Sequence, residues 1–306
     1  MVNLASEFVA IRIDPRHGGE VIDLVDLRSG RQLLGRPPFA SDQPVSGELD
    51  ETTWTRSYRG GWQLLVPNAG TPCVVDGVAH GFHGRASTDR WDVDALTPAA
   101  AELSWAGHGL RVQRSFALRG DSVSVRSTVS AERAAALVWV EHIGLGIELL
   151  DPSVEIELPG GLAYELSEQS GPATPPQDAA RWPEARLLDG TLERADRAVL
   201  TAARSRLLVV AQLPEGRIVV RNRERRQGIE IRWDVEWLPH LWMWHEVRTS
   251  GGPWRALTET LVVEPASVPH TLGLKTAQEM GQAYRLDAGE SASTEIVLRP
   301  LLEDGE

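Results

Sequence analysis

Residues 110–130, L-R-V-Q-R-S-F-A-L-R-G-D-S-V-S-V-R-S-T-V-S, alternate apolar and polar side chains on both sides of a central R-G-D-S. Leu110, Val112, Phe116 and Leu118 fall on one face, with Arg114 the exception. Val123, Val125 and Val129 repeat the pattern against Ser122, Ser124, Arg126 and Thr128. Side chains of a strand point alternately to opposite faces, so the stretch predicts an antiparallel hairpin with one face buried and the other wet. A second alternation sets Ile229, Ile231, Trp233, Val235 and Trp237 against Glu230, Arg232, Asp234 and Glu236. Nearer the start, residues 8–13 and V-I-D-L-V-D-L read as strands joined by the turn P-R-H-G-G-E, with His17 on the surface. The first 160 residues show no convincing 3.6-residue period. Short helices are expected at 192–204 and 274–284, the second stopped by Gly281, and then Y-R-L-D-A-G-E-S and T-E-I-V-L-R-P close the chain as strands. Many short strands with turn signals predict an all-β fold, a large antiparallel β-sandwich. Residues 168–190, rich in Pro, Gly and polar side chains, read as a long surface loop at the site rim. Both flanks of that loop have the same β character, so residues 1–306 are read as one domain.

The formal net charge of −12 and pI of about 5.2 argue against a nucleic-acid or acidic-membrane partner. The run R-N-R-E-R-R at 221–226 therefore reads as a solvated turn. A lone cysteine, Cys73, excludes an internal disulfide and suits a reducing compartment. The start, M-V-N-L-A-S-E-F, lacks a basic segment followed by an apolar run, and no apolar stretch approaches about 18 residues, so neither a secretory leader nor a membrane helix is expected. The location expected is cytoplasmic, as a monomer or homodimer. Eleven tryptophans stand against three tyrosines and four phenylalanines. Tryptophan's flat face with one N–H donor suits both a β core and a sugar.

Chemistry-bearing residues cluster in four places. Residues 58–91 hold P-N-A-G, two His-Gly pairs at His80 and His83, the arginines Arg59, Arg85 and Arg90, and Trp91. Turn-rich segments on a rigid frame are where binding and catalysis concentrate. The second is V-W-V-E-H-I-G-L-G, with His142 inside an apolar strand. The third is L-T-E-T-L-V-V-E-P-A-S. There Glu264 ends a buried run, where desolvation raises a carboxyl toward the range of a general base, with Glu259 as the fallback. The fourth is W-L-P-H-L-W-M-W-H-E, carrying Trp244 and Glu246. No Cys cluster, H-E-x-x-H or D-x-D-x-D-G occurs, and no G-x-S-x-G, G-x-G-x-x-G or phosphate loop. No metal and no cofactor is expected.

The run G-W-Q-x-L-x-P-N-x-G, then D-G and H-G-R-A-S-x-x-x-W, resembles the aldose 1-epimerase (galactose mutarotase-like) family. The likeness continues through the opening strands with D-x-R-x-G-R-x-L-L, the mid-chain histidine, the Trp-rich strand and the Glu-Pro strand. It implies the family's supersandwich fold and a small-molecule sugar substrate. It also implies interconversion of α and β anomers by a carboxylate base, Glu264, with His142 as the acid and His83 as the hydrogen-bonding partner. His80 also precedes a glycine, so it remains an alternative to His83. Arg59 or Arg85 would bind an exocyclic hydroxyl or an anionic substituent. Asp234, Trp244 and Glu246 would line the sugar pocket. The sequence has Glu141 before the histidine and no aromatic after it, unlike the Asn-His-x-Tyr-Phe of galactose-specific members. A non-catalytic sugar-binding domain would keep the tryptophans without needing Glu264. A mutarotase for a phosphorylated or sulfonated sugar would need two or more cationic side chains converging on the pocket.

Overall fold

A computed structural model describes residues 1–167, 171–199 and 202–302. Its strands form two large sheets that share a core. The larger runs in the order Val2–Ala5, Val9–Asp14, Glu20–Asp26, Trp62–Leu65, Val140–Leu145, Glu259–Ala266, His240–Val247, Arg204–Ala211, Leu162–Leu166, Glu184–Arg186, Leu192–Arg194. The second begins at Arg197–Val199 and Ser153–Glu157 and ends in the meander Ser291–Leu302, Ser122–Ala131, Leu110–Arg119, Ala100–Gly107, Asp92–Leu96. Nearly all described pairings are antiparallel; Tyr164 with Arg186 is a parallel one. The hairpin at 110–131 has the register its alternation predicts, with Phe116 opposite Val125 and Val112 opposite Val129. Inward residues of both sheets, among them Ile143, Val263, Met243, Phe116, Ile231 and Ile296, meet in one apolar core. Arg114 also points inward. Its guanidinium donates to Glu141 at 2.9 Å, with both side chains fully buried, and lies 5.0 Å from the centre of the Trp62 ring. Glu141 accepts further from Trp62 Nε1 at 2.6 Å and Ser127 Oγ at 3.2 Å.

Four expectations change. The described residues of 192–204 are not a helix, residues 200 and 201 lying outside the described ones: Leu192–Arg194 zips to Glu184–Arg186 and Arg197–Val199 to Ser153–Glu157, so sheet partners override the local preference. The strand over 229–237 ends at Trp233, because Leu238 N–H donates to Asp234 O in a turn that still packs Val235 and Trp237 on the core. The first 160 residues do contain a helix, Glu51–Ser57, capped by Asp50 Oδ1 on Thr53 N–H at 2.7 Å. His17 is buried, its Nδ1 3.4 Å from Glu20 Oε2. The helix expected at 274–284 forms but is shorter, Gly273–Glu279, and Tyr284 already begins the strand Tyr284–Leu286. Of the loop at 168–190, the first three residues lie outside the described ones; the rest includes the short strands Ala180–Arg181 and Glu184–Arg186. Among the described residues, no helix is long and apolar enough to cross a membrane.

The face of the larger sheet turned away from the shared core is also covered. Leu65, Val140, Val209, Trp242 and Ala266 form a second apolar cluster there with Trp54 and Tyr58 of the helical segment. This covered face carries the site.

Candidate active site

Period two decides what reaches this face. In Val140–Leu145, Glu141 and Ile143 enter the core, while Val140 and His142 point the other way. In Glu259–Ala266, Leu261 and Val263 enter the core and Glu264 does not. The register pairs His142 with Gln63 on one side, and Glu264 with Trp242 on the far side. Between them, Val140↔Ala266 and Ile143↔Val263 set His142 beside Glu264. A cavity of ≈ 590 Å³ opens over this rung, lined by His83, His142, Glu264, Trp242 and Trp244 and roofed by Trp54 and Tyr58. His142 and Glu264 are each only 4% exposed.

His83 arrives from the opposite wall. Its backbone is left-handed, at φ +63°, a conformation that side-chain-bearing residues adopt where surrounding contacts enforce it. Asn68 supplies several of those contacts. Its Nδ2 donates to Gly81 O at 2.8 Å and Thr71 O at 3.1 Å, and its Oδ1 accepts from Leu274 N–H at 2.6 Å. Gly70 N–H donates to His83 Nδ1 at 3.0 Å. That bond puts the ring proton of the neutral imidazole on Nε2, the nitrogen left for the cavity. Gly70 must be glycine, because its φ is +86° and a Cβ would stand 1.8 Å from Thr271 O. The His83 and His142 rings are 5.9 Å apart, and Trp54 lies 4.4 Å from the first and 5.8 Å from the second. Burial pushes the His142 imidazole down to about 3. Burial, and then the neighbouring His142, holds His83 well below the ordinary histidine range. Both rings are therefore neutral donors near pH 7. The Tyr58 hydroxyl is pushed up by burial and by the Glu264 and Glu20 carboxylates.

The other sequence candidates lie elsewhere. Of the two His-Gly histidines, His83 faces the cavity. His80 instead packs on His108, ring centres 4.8 Å apart, and burial with that neighbour lowers it to about 4. Arg59 is 1% exposed and held by Asp14 at 3.1 Å and by Glu20, beneath the cavity lining. Arg85 is bound to Asp89 at 2.8 Å. Asp234 follows a strand of the other sheet and sits in a groove with Arg126, Arg232 and Glu295, so it does not meet the histidines. Glu246 is fully buried and accepts from Thr249 N–H at 2.9 Å, shaping the turn that follows the Trp-rich strand. The fallback, Glu259, is tied to Arg248. Among the described residues, no three His, Cys, Asp or Glu side chains are grouped to hold a metal ion.

The sequence reading missed the roof. Trp54 and Tyr58 stack one helical turn apart, ring centres 5.6 Å apart at 24°, and Trp54 Nε1 donates to Ser87 Oγ of the R-A-S segment at 3.1 Å. The signal was present as Asp50 followed by Glu51 and a Trp-x-x-x-Tyr spacing. Also missed were Trp254 and Arg255, on the loop between the Trp-rich and Glu-Pro strands, and Arg56.

No protein-family model matches the chain, and no curated protein matches it. Solved structures do. A protein of Escherichia coli K12, provisionally described as an aldose 1-epimerase, superposes with a TM-score of 0.71 at 15% identity, covering 98% of each chain. A galactose mutarotase-like protein from Lactobacillus casei gives 0.65 at 15% identity, over 98% of this chain and 99% of that one. A galactose mutarotase related enzyme from Lactobacillus acidophilus gives 0.68 at 12%, over 99% and 98%. The fold is galactose mutarotase-like. At these identities the likeness speaks for the fold, and the chemistry must be argued from the cavity. What this mutarotase-like chain offers there is the buried carboxylate of Glu264 beside two neutral imidazoles within an aromatic enclosure, with Glu51, Arg56 and Arg255 also in the lining.

Proposed function

We propose that the protein is an aldose 1-epimerase that interconverts the α and β anomers of an aldose. The observation carrying this reading is the convergence of Glu264, His142 and His83 on one aromatic-lined cavity. Glu264 takes the proton of the anomeric hydroxyl as the bond between the anomeric carbon and the ring oxygen breaks. The electron pair of that bond passes to the ring oxygen, where His142 donates a hydrogen bond and shares its proton in the transition state. His83, from its Nε2–H, steadies the charge that develops there. The free aldehyde turns about the bond to its neighbouring carbon, and the ring closes on the other face with both protons returned. No redox change occurs and the cycle has no net proton demand. The roof of Trp54 and Tyr58 keeps water from the reacting atoms and offers flat faces to the sugar's C–H surface. The test is polarimetry of freshly dissolved α-glucose and α-galactose with and without the protein. Equilibration at the buffer rate for every common aldose and its 6-phosphate overturns the reading in favour of a sugar-binding domain.

A second reading has its own observation. Arg56 and Arg255 both line the cavity, and neither is ion-paired with a described carboxylate. Two such cations suit an aldose carrying a phosphate or sulfonate. In that case glucose 6-phosphate outruns glucose, and Arg56→Ala together with Arg255→Ala removes the preference.

A further inference from the structure

A second cavity, of ≈ 460 Å³, opens at the end of the larger sheet, where the strands Val140–Leu145 and Glu259–Ala266 meet the segment 32–38. That volume lies within the range of ligand sites, on the order of 300–1,000 Å³. Backbone hydrogen bonds close its floor. Gly35 N–H donates to Gly144 O at 2.8 Å, Gly61 N–H to Gly35 O at 2.9 Å, and Gly146 N–H to Leu33 O at 2.9 Å. Three stretches of chain are thereby tied together, and the floor is fixed before a ligand arrives. Tyr58 is the lining residue the two cavities share. Its ring lies 5.4 Å from the His142 ring on one side, and its hydroxyl sits by Gly144 and Thr260 on the other.

Two polar groups on the wall of this cavity are buried without a partner among the described residues. Thr258 is 2% exposed, and its hydroxyl makes no hydrogen bond. Glu259 has a side chain 9% exposed; one oxygen is held by Arg248, and Oε2 has no donor. Buried polar groups are otherwise almost always paired, so two neighbours in the chain left unpaired on one cavity wall mark where a ligand's polar atoms belong. The other polar groups of the lining are engaged. Thr260 Oγ1 donates to Leu145 O at 2.9 Å, and Glu148 Oε2 accepts from Gln32 N–H at 2.9 Å. Arg36 is paired with Asp42 at 2.6 Å, and Asp151 with Arg225 at 2.7 Å. Ile147 and Leu257, 43% and 57% exposed, give the rim an apolar surface beside Pro37 and Pro38.

The unpaired atoms select the chemistry of the ligand. The Thr258 hydroxyl hydrogen needs an acceptor, and the Glu259 oxygen needs a donor. An ammonium group has no acceptor for Thr258. A phosphate ester dianion has no donor for Glu259 and would face Glu148 and Asp151 too, while both lining arginines, Arg36 and Arg248, are already paired. Neutral hydroxyl groups serve both. We propose that this second cavity binds a neutral polyol. Neighbouring hydroxyls of the ligand accept from Thr258 Oγ1 and donate to Glu259 Oε2, and its C–H surface lies on Ile147 and Leu257. The site is separate from the cavity of Glu264, His142 and His83, and it does not rest on the epimerase reading.

The probes are glycerol, sorbitol and myo-inositol, none of which has an anomeric hydroxyl to epimerise. Titration calorimetry is run on wild type, Thr258→Val and His83→Asn, with thermal midpoints read in the absence of polyol. At least one polyol should bind wild type with a dissociation constant of about 1 mM or tighter. Thr258→Val should weaken that binding about three- to tenfold, while His83→Asn leaves it unchanged. Valine keeps the shape of threonine and removes only an unpaired hydroxyl, so the midpoint of Thr258→Val should equal or exceed that of wild type. Absence of binding for all three polyols up to about 100 mM overturns the proposal. Binding lost in His83→Asn and kept in Thr258→Val puts the polyol in the other cavity and overturns it as well. So does a lowered midpoint in Thr258→Val with unchanged polyol affinity, because the hydroxyl would then serve the fold.

Discussion

At the scale of single residues the division of labour is open to measurement. Glu264→Gln keeps the shape of the side chain but cannot take a proton, so turnover should fall about 10²–10⁴-fold while sugar affinity changes little. His142→Asn should do the same, and His83→Asn should also weaken binding. Full activity in a stably folded Glu264→Gln would remove the base from that position. Because burial lowers both imidazoles, His142 to about 3, neither changes charge near neutrality. The expected kcat/KM is flat between about pH 6 and 8. A limb in that range that vanishes in His142→Asn would show that the ring titrates in the working enzyme. His83, His142 and Glu264 were legible because their signals are local: a His-Gly turn, a histidine inside an apolar strand, a Glu-Pro strand end. Arg59 and Asp234 were not, since their places depend on distant chain, whereas Glu246 is held locally by Thr249. The partners of Arg59 lie 45 and 39 residues away in sequence, at Asp14 and Glu20, and no pattern around Arg59 reveals them.

Among the elements, the strand Val140–Leu145 depends on the partners of Glu141. Glu141 faces the core so that His142 can face the cavity, and Arg114 from the other sheet neutralises it at 2.9 Å with both fully buried. Removing one partner strands a charge in the core, so Arg114→Met should cost about 3–5 kcal/mol. The double change Arg114→Met, Glu141→Gln should recover much of that loss, and urea unfolding of Arg114→Met, Glu141→Gln and the double variant measures it. A single variant as stable as wild type would mean the pair carries no such strain. Gly144 on the same strand leaves room for the Tyr58 hydroxyl, which a Cβ would approach to 2.7 Å. Gly144→Ala should therefore push Tyr58 into the cavity, cost about 1–3 kcal/mol and weaken sugar binding; unchanged affinity would argue that Tyr58 yields without touching the site. The strands could be read because alternation is intrinsic to a half-buried sheet. The helix Glu51–Ser57 could not be found by periodicity, since seven residues make only two turns and its apolar side reduces to Trp54 and Tyr58. At 192–204 the local sequence allowed a helix, and hydrogen-bonding edges on two sheets decided otherwise.

Across the whole molecule the histidines set the response to acid. Six of the eight have depressed values. Burial is the leading cause in each; His80 and His240 fall to about 4, His142 and His245 to about 3. In the unfolded chain these rings titrate near the ordinary value of about 6.5. Between that value and their folded values the unfolded state binds more protons, so stability is full above pH 6.5 and falls as the pH drops toward 4. Each ring adds a slope of up to about 1.4 kcal/mol per pH unit. Thermal midpoints measured from pH 7.5 to 4.5 should descend steeply in a single cooperative transition. The carboxylates contribute later: arginine partners hold Asp121, Asp196 and Glu230 below the usual carboxylate range, so they stay ionised through this window. A loss that begins near pH 6 therefore belongs to the buried imidazoles. A midpoint that holds to pH 4.5 would mean that those rings accept protons without unfolding the sheets, and the neutral state assigned to His142 in the cavity would fall with it.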